Sequence, residues 1–335
     1  MSALGSSSLM SSQVMHSTQL IEPAPALLQS VSQESSRPVA SDLQTITQTL
    51  HARFGTAMVA LLFYGSCLRG GNLRDGLVDL YVLVDDYASA HMGLASRLAS
   101  RCLAPTVFLL KSPAPGGGFL RAKCALITLK DFEKGTSTWF QSYLWSRFSQ
   151  PSRLVYYHDD IVRSRIHHAL SQAVIRMVSE VVPVVHSTIS STELWEQALS
   201  LTYATELRPE KLSRSKEIVG ANAEYFIQMT RGAVASIPDL SLVEDGREVL
   251  VYRGDASARH ASRWKWKVRR LQGRTLNILR LIKALFTFEG AVDYALWKLE
   301  RHLGEPVKIS PYLHRYPLIF CWPLLWRLLR SRRLR

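Results

Sequence analysis

Residues 61–86 read LLFYGSCLRGGNLRDGLVDLYVLVDD, and two apolar runs in and around that stretch set the architecture. The first, Ala57 to Phe63, stops at Gly65-Ser66; the second, Leu77 to Val84, stops at Asp85-Asp86. Short continuous apolar runs bounded by turn residues read as strands buried on both faces. A strand that ends in Gly-Ser and turns into a helix offers backbone N–H groups and a hydroxyl to an anion, and only glycine lets the backbone come that close. In the second run, alternation puts Asp79, Tyr81 and Leu83 on one face and Val78, Leu80 and Val82 on the other. One carboxylate therefore sits in an otherwise apolar strand, where it needs a partner. A neighbouring backbone amide would serve a structural role. A magnesium ion bridging triphosphate oxygens would serve a catalytic one, since it takes hard oxygen ligands and stabilises charge as pyrophosphate leaves.

Outward from this motif, Leu43, Ile46 and Leu50 space a short amphipathic helix from about Asp42 to Phe54. Pro105 to Leu110 and Lys123 to Leu129 look like two more strands, and Gly116 to Gly118 between them reads as a flexible hairpin connection rather than a phosphate loop. After Tyr157 the period becomes helical. Val162, Ile166, Ala169, Leu170, Val174 and Met177 hold one face behind an N-cap at Asp160; a capping box from Ser190 to Glu193 opens a second helix; a third follows Ser213. Helical patterns return over Trp264 to Phe286 and Ala291 to Leu303. His167 and His168 point about 100° apart on a helix, cannot share a tetrahedral ion, and read as surface residues. The expected fold is α+β: a leader over 1–41, rich in Ser, Gln and Ala and expected to be disordered; a mixed β-sheet lobe with helices over 42–157; and a mostly α-helical lobe over 158–335.

A chain of 335 residues with 47% hydrophobic content can bury one sizeable core and a smaller second one. A net charge of +14 calls for an anionic partner: nucleic acid, phospholipid headgroups or a nucleoside triphosphate. Cys67, Cys102, Cys124 and Cys321 have no CxxC spacing, which argues against a zinc site or disulfide framework and fits a reducing cytosol. No stretch reaches the ~18 consecutive apolar residues of a spanning helix. The first 40 residues contain no lysine and no arginine before Arg37, unlike a secretory or mitochondrial targeting segment.

The Leu61–Asp86 segment resembles the signature of the polymerase-β-type nucleotidyltransferase fold, a Gly-Ser after the first strand followed by an acidic strand. It departs from it at the second acidic position, two residues after Asp79, which is Tyr81; Asp85 shares the face of Asp79 but lies ~20 Å further along an extended strand. An aromatic or hydrophobic residue at that position marks one branch of the fold, the mitochondrial translocator assembly and maintenance family of phosphatidate cytidylyltransferases. LRAKCA, from Leu120 to Ala125, is similar to that family's basic strand, with Lys123 at its lysine. YLWSRFSQP, from Tyr143 to Pro151, is similar to its Tyr-x-x-Gly-Arg-x-x-Lys-Pro segment, with Ser146 for the glycine and Gln150 for the lysine. LSLTYATELR, from Leu199 to Arg208, resembles its Ser-Tyr-x-Gly-Asp-x-Arg, with Glu206 for the aspartate, and Lys216 to Val219 its Lys-x-x-Ile-Val. These blocks stand in family order from about Phe54 to Met229.

The resemblance implies a CTP:phosphatidate cytidylyltransferase that uses Mg2+ and forms CDP-diacylglycerol and pyrophosphate. Gly65 and Ser66 would cradle the triphosphate, Asp79 would ligate the metal, and Lys123 would neutralise phosphate charge in binding and catalysis. Arg147 and Arg208 would take the phosphatidate phosphate or the triphosphate. Structural alternatives stand beside these roles: Lys123 as a snorkelling strand lysine, Arg208 in a surface ion pair with Glu206, and Glu206 as either a second metal carboxylate or a salt-bridge partner. From Arg259 to Lys283 nine basic residues occur without an acid, interleaved with Trp264 and Trp266, and Trp322 to Arg335 repeats the theme. Such a pattern describes a helix lying on an anionic membrane surface, and a peripheral position on the inner, cytoplasmic face is expected ahead of the mitochondrial matrix side. Lipid is preferred to nucleic acid because the apolar tail exceeds what nucleic-acid binding requires. The alternatives are an RNA-directed or other nucleotidyltransferase and, because of Tyr81, a non-catalytic membrane-associated scaffold.

Overall fold

The computed structural model describes residues 21–70, 73–74, 76–90, 93–206, 212–244 and 248–287. In chain order the elements are α1 (Pro25–Ser35), α2 (Asp42–Phe54), β1 (Met58–Tyr64), β2 (Val78–Val84), α3 (Leu94–Cys102), β3 (Thr106–Pro113), β4 (Phe119–Thr128), α4 (Leu129–Ser137), α5 (Trp145–Phe148) and β5 (Ser152–Tyr157). There follow α6 (Asp160–Val181), β6 (Thr188–Ile189), α7 (Ser191–Tyr203), α8 (Leu212–Gly220), α9 (Ala223–Val234), β7 (Leu240–Glu244), β8 (Glu248–Tyr252) and α10 (Ala256–Thr287). The fold is α+β, a mixed five-stranded sheet with helices followed by a mostly helical region.

The strand order is β3-β4-β2-β1-β5, with β2 and β4 parallel and the other neighbours antiparallel. Both faces are covered, which is why β1 and β2 are apolar at nearly every position. One face carries Leu61, Phe63, Leu80 and Val82 against Leu43, Ile46 and Leu50 of α2. The other carries Ala60, Leu62, Tyr81 and Leu83 into a cluster with Phe148, Ile166 and Val174 from α5 and α6. That second cluster continues through α7 and α9 to α1, so the expected division at residue 157 is not a break in the core.

The expected disordered leader does not extend over 25–35. Pro25 sits in the first turn of α1, where its missing N–H costs nothing, and Leu27 and Val31, one turn apart, are buried. The helix can come close to α9 because Gly232 faces it; a Cβ there would lie 2.9 Å from the Leu27 Cα. Arg153 adds a 2.7 Å ion pair to Glu34. Composition hid a helix whose stripe is only two residues long.

Other expectations shift locally. The N-cap of α6 is Asp159, which accepts from the Val162 amide at 2.8 Å, whereas Asp160 lies beside Arg163. The capping box at Ser190 and Glu193 is present. The expected third helix is split into α8 and α9, and the Asn222 side chain donates to the Ile218 carbonyl at the break. His167 is buried rather than on the surface, and burial together with Arg163 holds its imidazole below the usual range. The strand β5 and the small sheet β6-β8-β7 have no strong apolar alternation and went unseen. The expected helix at 291–303, the C-terminal run and Cys321 lie outside the described residues, among which no helix is long and apolar enough to cross a membrane.

Leu27→Ala should cost about 2–4 kcal/mol in urea or guanidinium unfolding, the range of a buried leucine truncation. A change within about 0.5 kcal/mol, as expected at an exposed site, would show that α1 does not pack.

Candidate active site

Gly65 follows directly on β1 and has φ +92°, a conformation that side chains rarely tolerate. A Cβ at this position would lie 2.7 Å from the Asp79 Oδ2, so the glycine leaves room for the carboxylate as well as for the turn. The helix expected after Gly65-Ser66 is a single 3₁₀ turn, Cys67–Arg69, too short to gather a helix dipole. Ser66 is exposed, and its hydroxyl makes no cap. The charge that could hold an anion here comes from side chains.

Register sets the first of these. Asp79 pairs with Tyr64 across the antiparallel β1–β2 ladder and with Lys123 across the parallel β2–β4 ladder, so all three project from the same face. Asp79 and Lys123 are half-buried, and neither makes a hydrogen bond or ion pair among the described residues. Burial pushes the Asp79 carboxyl above its ordinary value; Lys123, Arg147 and Arg69 pull it down but do not overcome burial. Arg69, which the motif reading passed over although it lies inside the quoted stretch, is also half-buried and unpaired among the described residues. Burial lowers its pKa, Arg214 of α8 adds to the lowering, and Tyr203 and Asp79 oppose it.

The second acidic position is filled by Tyr81, fully buried, whose hydroxyl accepts from the Arg147 Nη1 at 3.1 Å. The Arg147 guanidinium also lies over the Tyr143 ring at 4.4 Å and the Tyr64 ring at 5.6 Å, and 3.8 Å from Glu206. Burial disfavours its charge, yet Tyr143, Tyr81, Tyr64 and Glu206 together leave its pKa well above the usual value. Arg280 of α10 stacks on Tyr143 at 4.0 Å and donates to Gln141 at 2.6 Å. Burial pushes the Tyr143 phenol up, but Arg147, Arg280 and Lys123 outweigh it and bring it down to about 8. Tyr64, Tyr143 and Arg280 come from β1, the segment before α5, and α10, separations that no local pattern could join.

Gly65, Asp79, Lys123 and Arg147 are thus brought together, with Ser66 beside them on the turn; Arg208 lies outside the described residues. Glu206 stands beside Arg147, and Asp85 serves the following turn, accepting from the Asp86 amide and the Ser89 hydroxyl. Among the described residues no group of three or more His, Cys, Asp or Glu side chains could hold a metal. The set around Asp79 therefore fits a magnesium ion only as one carboxylate ligand, with substrate phosphates supplying other oxygens, which is a common way for this ion to bind.

Two outcomes follow from the geometry. Because burial raises the folded Asp79 pKa above its unfolded value, the stabilising contribution is full below the unfolded pKa of about 3.8 and is lost as pH rises through the folded one. Asp79→Asn should accordingly melt higher than the ligand-free wild type at pH 7, with the difference narrowing toward pH 4; an unchanged or lower melting temperature at pH 7 contradicts this charge balance. Gly65→Ala should lose about 1–3 kcal/mol of stability through left-handed strain and the close Asp79 contact. Denaturant titration measures this, and a neutral result would mean that the turn has an alternative conformation.

No protein-family model matches the chain, and no curated protein matches it. Among solved structures it is similar to a nucleotidyltransferase-like protein from Exiguobacterium sibiricum, at 12% identity over 86% of this chain and 91% of that one, with a TM-score of 0.24. A likeness of that degree carries no weight for the site.

Proposed function

We propose that the site around Asp79 binds a nucleoside triphosphate and transfers its nucleotidyl group, with CTP as donor and phosphatidate as acceptor. The observation that carries this reading is the set of charges at the end of β1: a carboxylate beside Lys123, with Arg69 and Arg147 acting on it, where Asp79, Lys123 and Arg69 make no hydrogen bond or ion pair among the described residues. A surplus of desolvated positive charge suits a triphosphate better than it suits a structural salt bridge. The ordered sequence blocks that carry Lys123 and Arg147 favour the cytidylyl donor and the lipid acceptor.

In this reading a phosphatidate oxygen attacks the α-phosphorus, the bond to the β-phosphate oxygen breaks, and pyrophosphate leaves. The acceptor phosphomonoester is already largely ionised near neutral pH, so positioning and charge neutralisation can supply the rate without a strong base. Gly65 gives the phosphates access, Lys123 and Arg69 neutralise them, and Arg147, held by Tyr81 and Tyr143, offers a fixed guanidinium to whichever phosphate lies on its side of Asp79. Asp79 would hold magnesium, which when bound supplies charge stabilisation on the phosphate oxygens. Arg208 remains a candidate for the lipid phosphate. The exposed Trp264 and Leu271 on the basic helix α10 suit a peripheral position on an anionic, cytoplasm-facing leaflet. A second reading, a phosphate-binding scaffold without turnover, is favoured by one observation: Tyr81 and Arg147 fill the second acidic position with a hydrogen-bonded pair.

With α-labelled CTP, magnesium and phosphatidate vesicles, wild type should move label into a lipid-extractable product. Lys123→Ala should lose about 10²–10³-fold, the scale for removing one charge-stabilising donor, and Asp79→Asn should abolish transfer. Label incorporated into RNA instead would reassign the acceptor, and binding of CTP without transfer to either would select the scaffold.

A further inference from the structure

We infer that the groove between α7, α8 and α10 docks the headgroups of anionic phospholipids, at a place separate from the site around Asp79. The inference rests on the membrane part of the reading above and is independent of the catalytic part. The groove has a volume of about 550 Å³ and is lined by Lys216, Arg263, Lys267, Arg270 and Trp266, with Glu196 as its one carboxylate. All four cations are exposed, and none has a hydrogen bond or ion pair among the described residues.

The α10 sequence explains why they stand together. At about 100° per residue, Arg263, Lys267, Arg270 and Arg274 fall on one side of the helix. One step round lies an apolar ridge of Trp264, Val268, Leu271, Ile278 and Ile282, which are 60, 44, 70, 48 and 48% exposed. Opposite the ridge, Trp266, Arg269, Gly273 and Arg280 face the protein. The cation row therefore runs between the ridge and the protein body, beside Lys216 of α8.

That order of layers fits a bilayer surface. The ridge, about 27 Å long at 1.5 Å per residue, matches the acyl boundary, and the cations then lie at the level of the phosphates. Four unpaired cations against one carboxylate complement an anionic leaflet. A nucleic-acid strand would want aromatic platforms, yet only Trp264 on this ridge is aromatic, and Val268, Leu271, Ile278 and Ile282 would have nothing to stack on. A second copy of α10 would bring the same acid-free basic row against this one and be repelled.

The test is co-sedimentation of the full chain with phosphatidylcholine vesicles with and without phosphatidylglycerol, an anionic lipid other than the proposed acceptor. Replacing the four cations together (Lys216→Glu, Arg263→Glu, Lys267→Glu, Arg270→Glu) should weaken binding to the anionic vesicles on the order of a hundredfold. The charge-preserving set (Lys216→Arg, Arg263→Lys, Lys267→Arg, Arg270→Lys) should stay within about twofold, and Arg270→Glu alone covers the case in which the quadruple variant does not fold. Leu271→Ser with Ile278→Ser should weaken binding while keeping its salt dependence. Asp79→Asn should bind vesicles as wild type does, whatever the label-transfer assay shows, so failure of docking and failure of catalysis are read separately. Undiminished binding by the charge-reversed chain, displacement by millimolar glycerol 3-phosphate, or a preference for an RNA oligomer that the same four substitutions remove would each overturn the assignment.

Discussion

A carboxylate half-buried beside Lys123 and near Arg69, none of the three making a hydrogen bond or ion pair among the described residues, is the constraint on which the site depends. Burial disfavours the charge of Asp79 and of Arg69 alike, and the attraction between them does not restore either to its ordinary value. In the proposed reading, a polyanion carrying a divalent cation brings negative charge to the basic side chains and positive charge to the carboxylate at once. Both faces of the sheet are packed, and at the end of β1 Gly65 leaves room for the Asp79 carboxylate.

Arg147 is fixed mainly by phenols, with the Glu206 carboxylate 3.8 Å away. Phenols on three separate segments surround it, and Tyr81 holds one nitrogen at 3.1 Å. The ring faces orient the guanidinium, and Tyr143, Tyr81, Tyr64 and Glu206 offset the burial of its charge. Tyr81, a departure from the usual acidic pair when read along the strand, has a plain structural use here. Arg280 on the far side of Tyr143 adds a second cation to the same wall.

The basic helix α10 divides its charges by face. Arg269 is fully buried, donating to the Phe140 carbonyl at 2.7 Å and pairing with Glu180 at 3.0 Å, while Phe140, Trp145 and Trp266 stack around it. Lys283 caps the carbonyls of Leu103 and Pro105, just past the end of α3, and burial with Arg280 lowers its pKa to about 8. These residues fasten the helix across the sheet edge; the row beginning at Arg263 faces outward. A count of basic residues treats the two sets as one surface, although they do opposite work.

By itself the sequence determined the features that depend on near neighbours. The apolar runs of β1 and β2, the lone Asp79 on one face, the Gly65 turn and the capping box at Ser190 follow from periodicity and local stereochemistry, which act over a few residues. Lys123 was expected on a strand neighbouring that of Asp79, without its register, and Arg147 rested on a sequence block alone. Only the tertiary structure decided that parallel pairing of β2 with β4 sets Lys123 beside Asp79, that Arg147 meets Tyr81, and that Arg280 arrives from α10. It also decided that α1 packs and that Arg269 is interior. Register between distant strands and the inward or outward sense of a charged helix face depend on what the rest of the chain places opposite them, and a linear pattern carries no record of that.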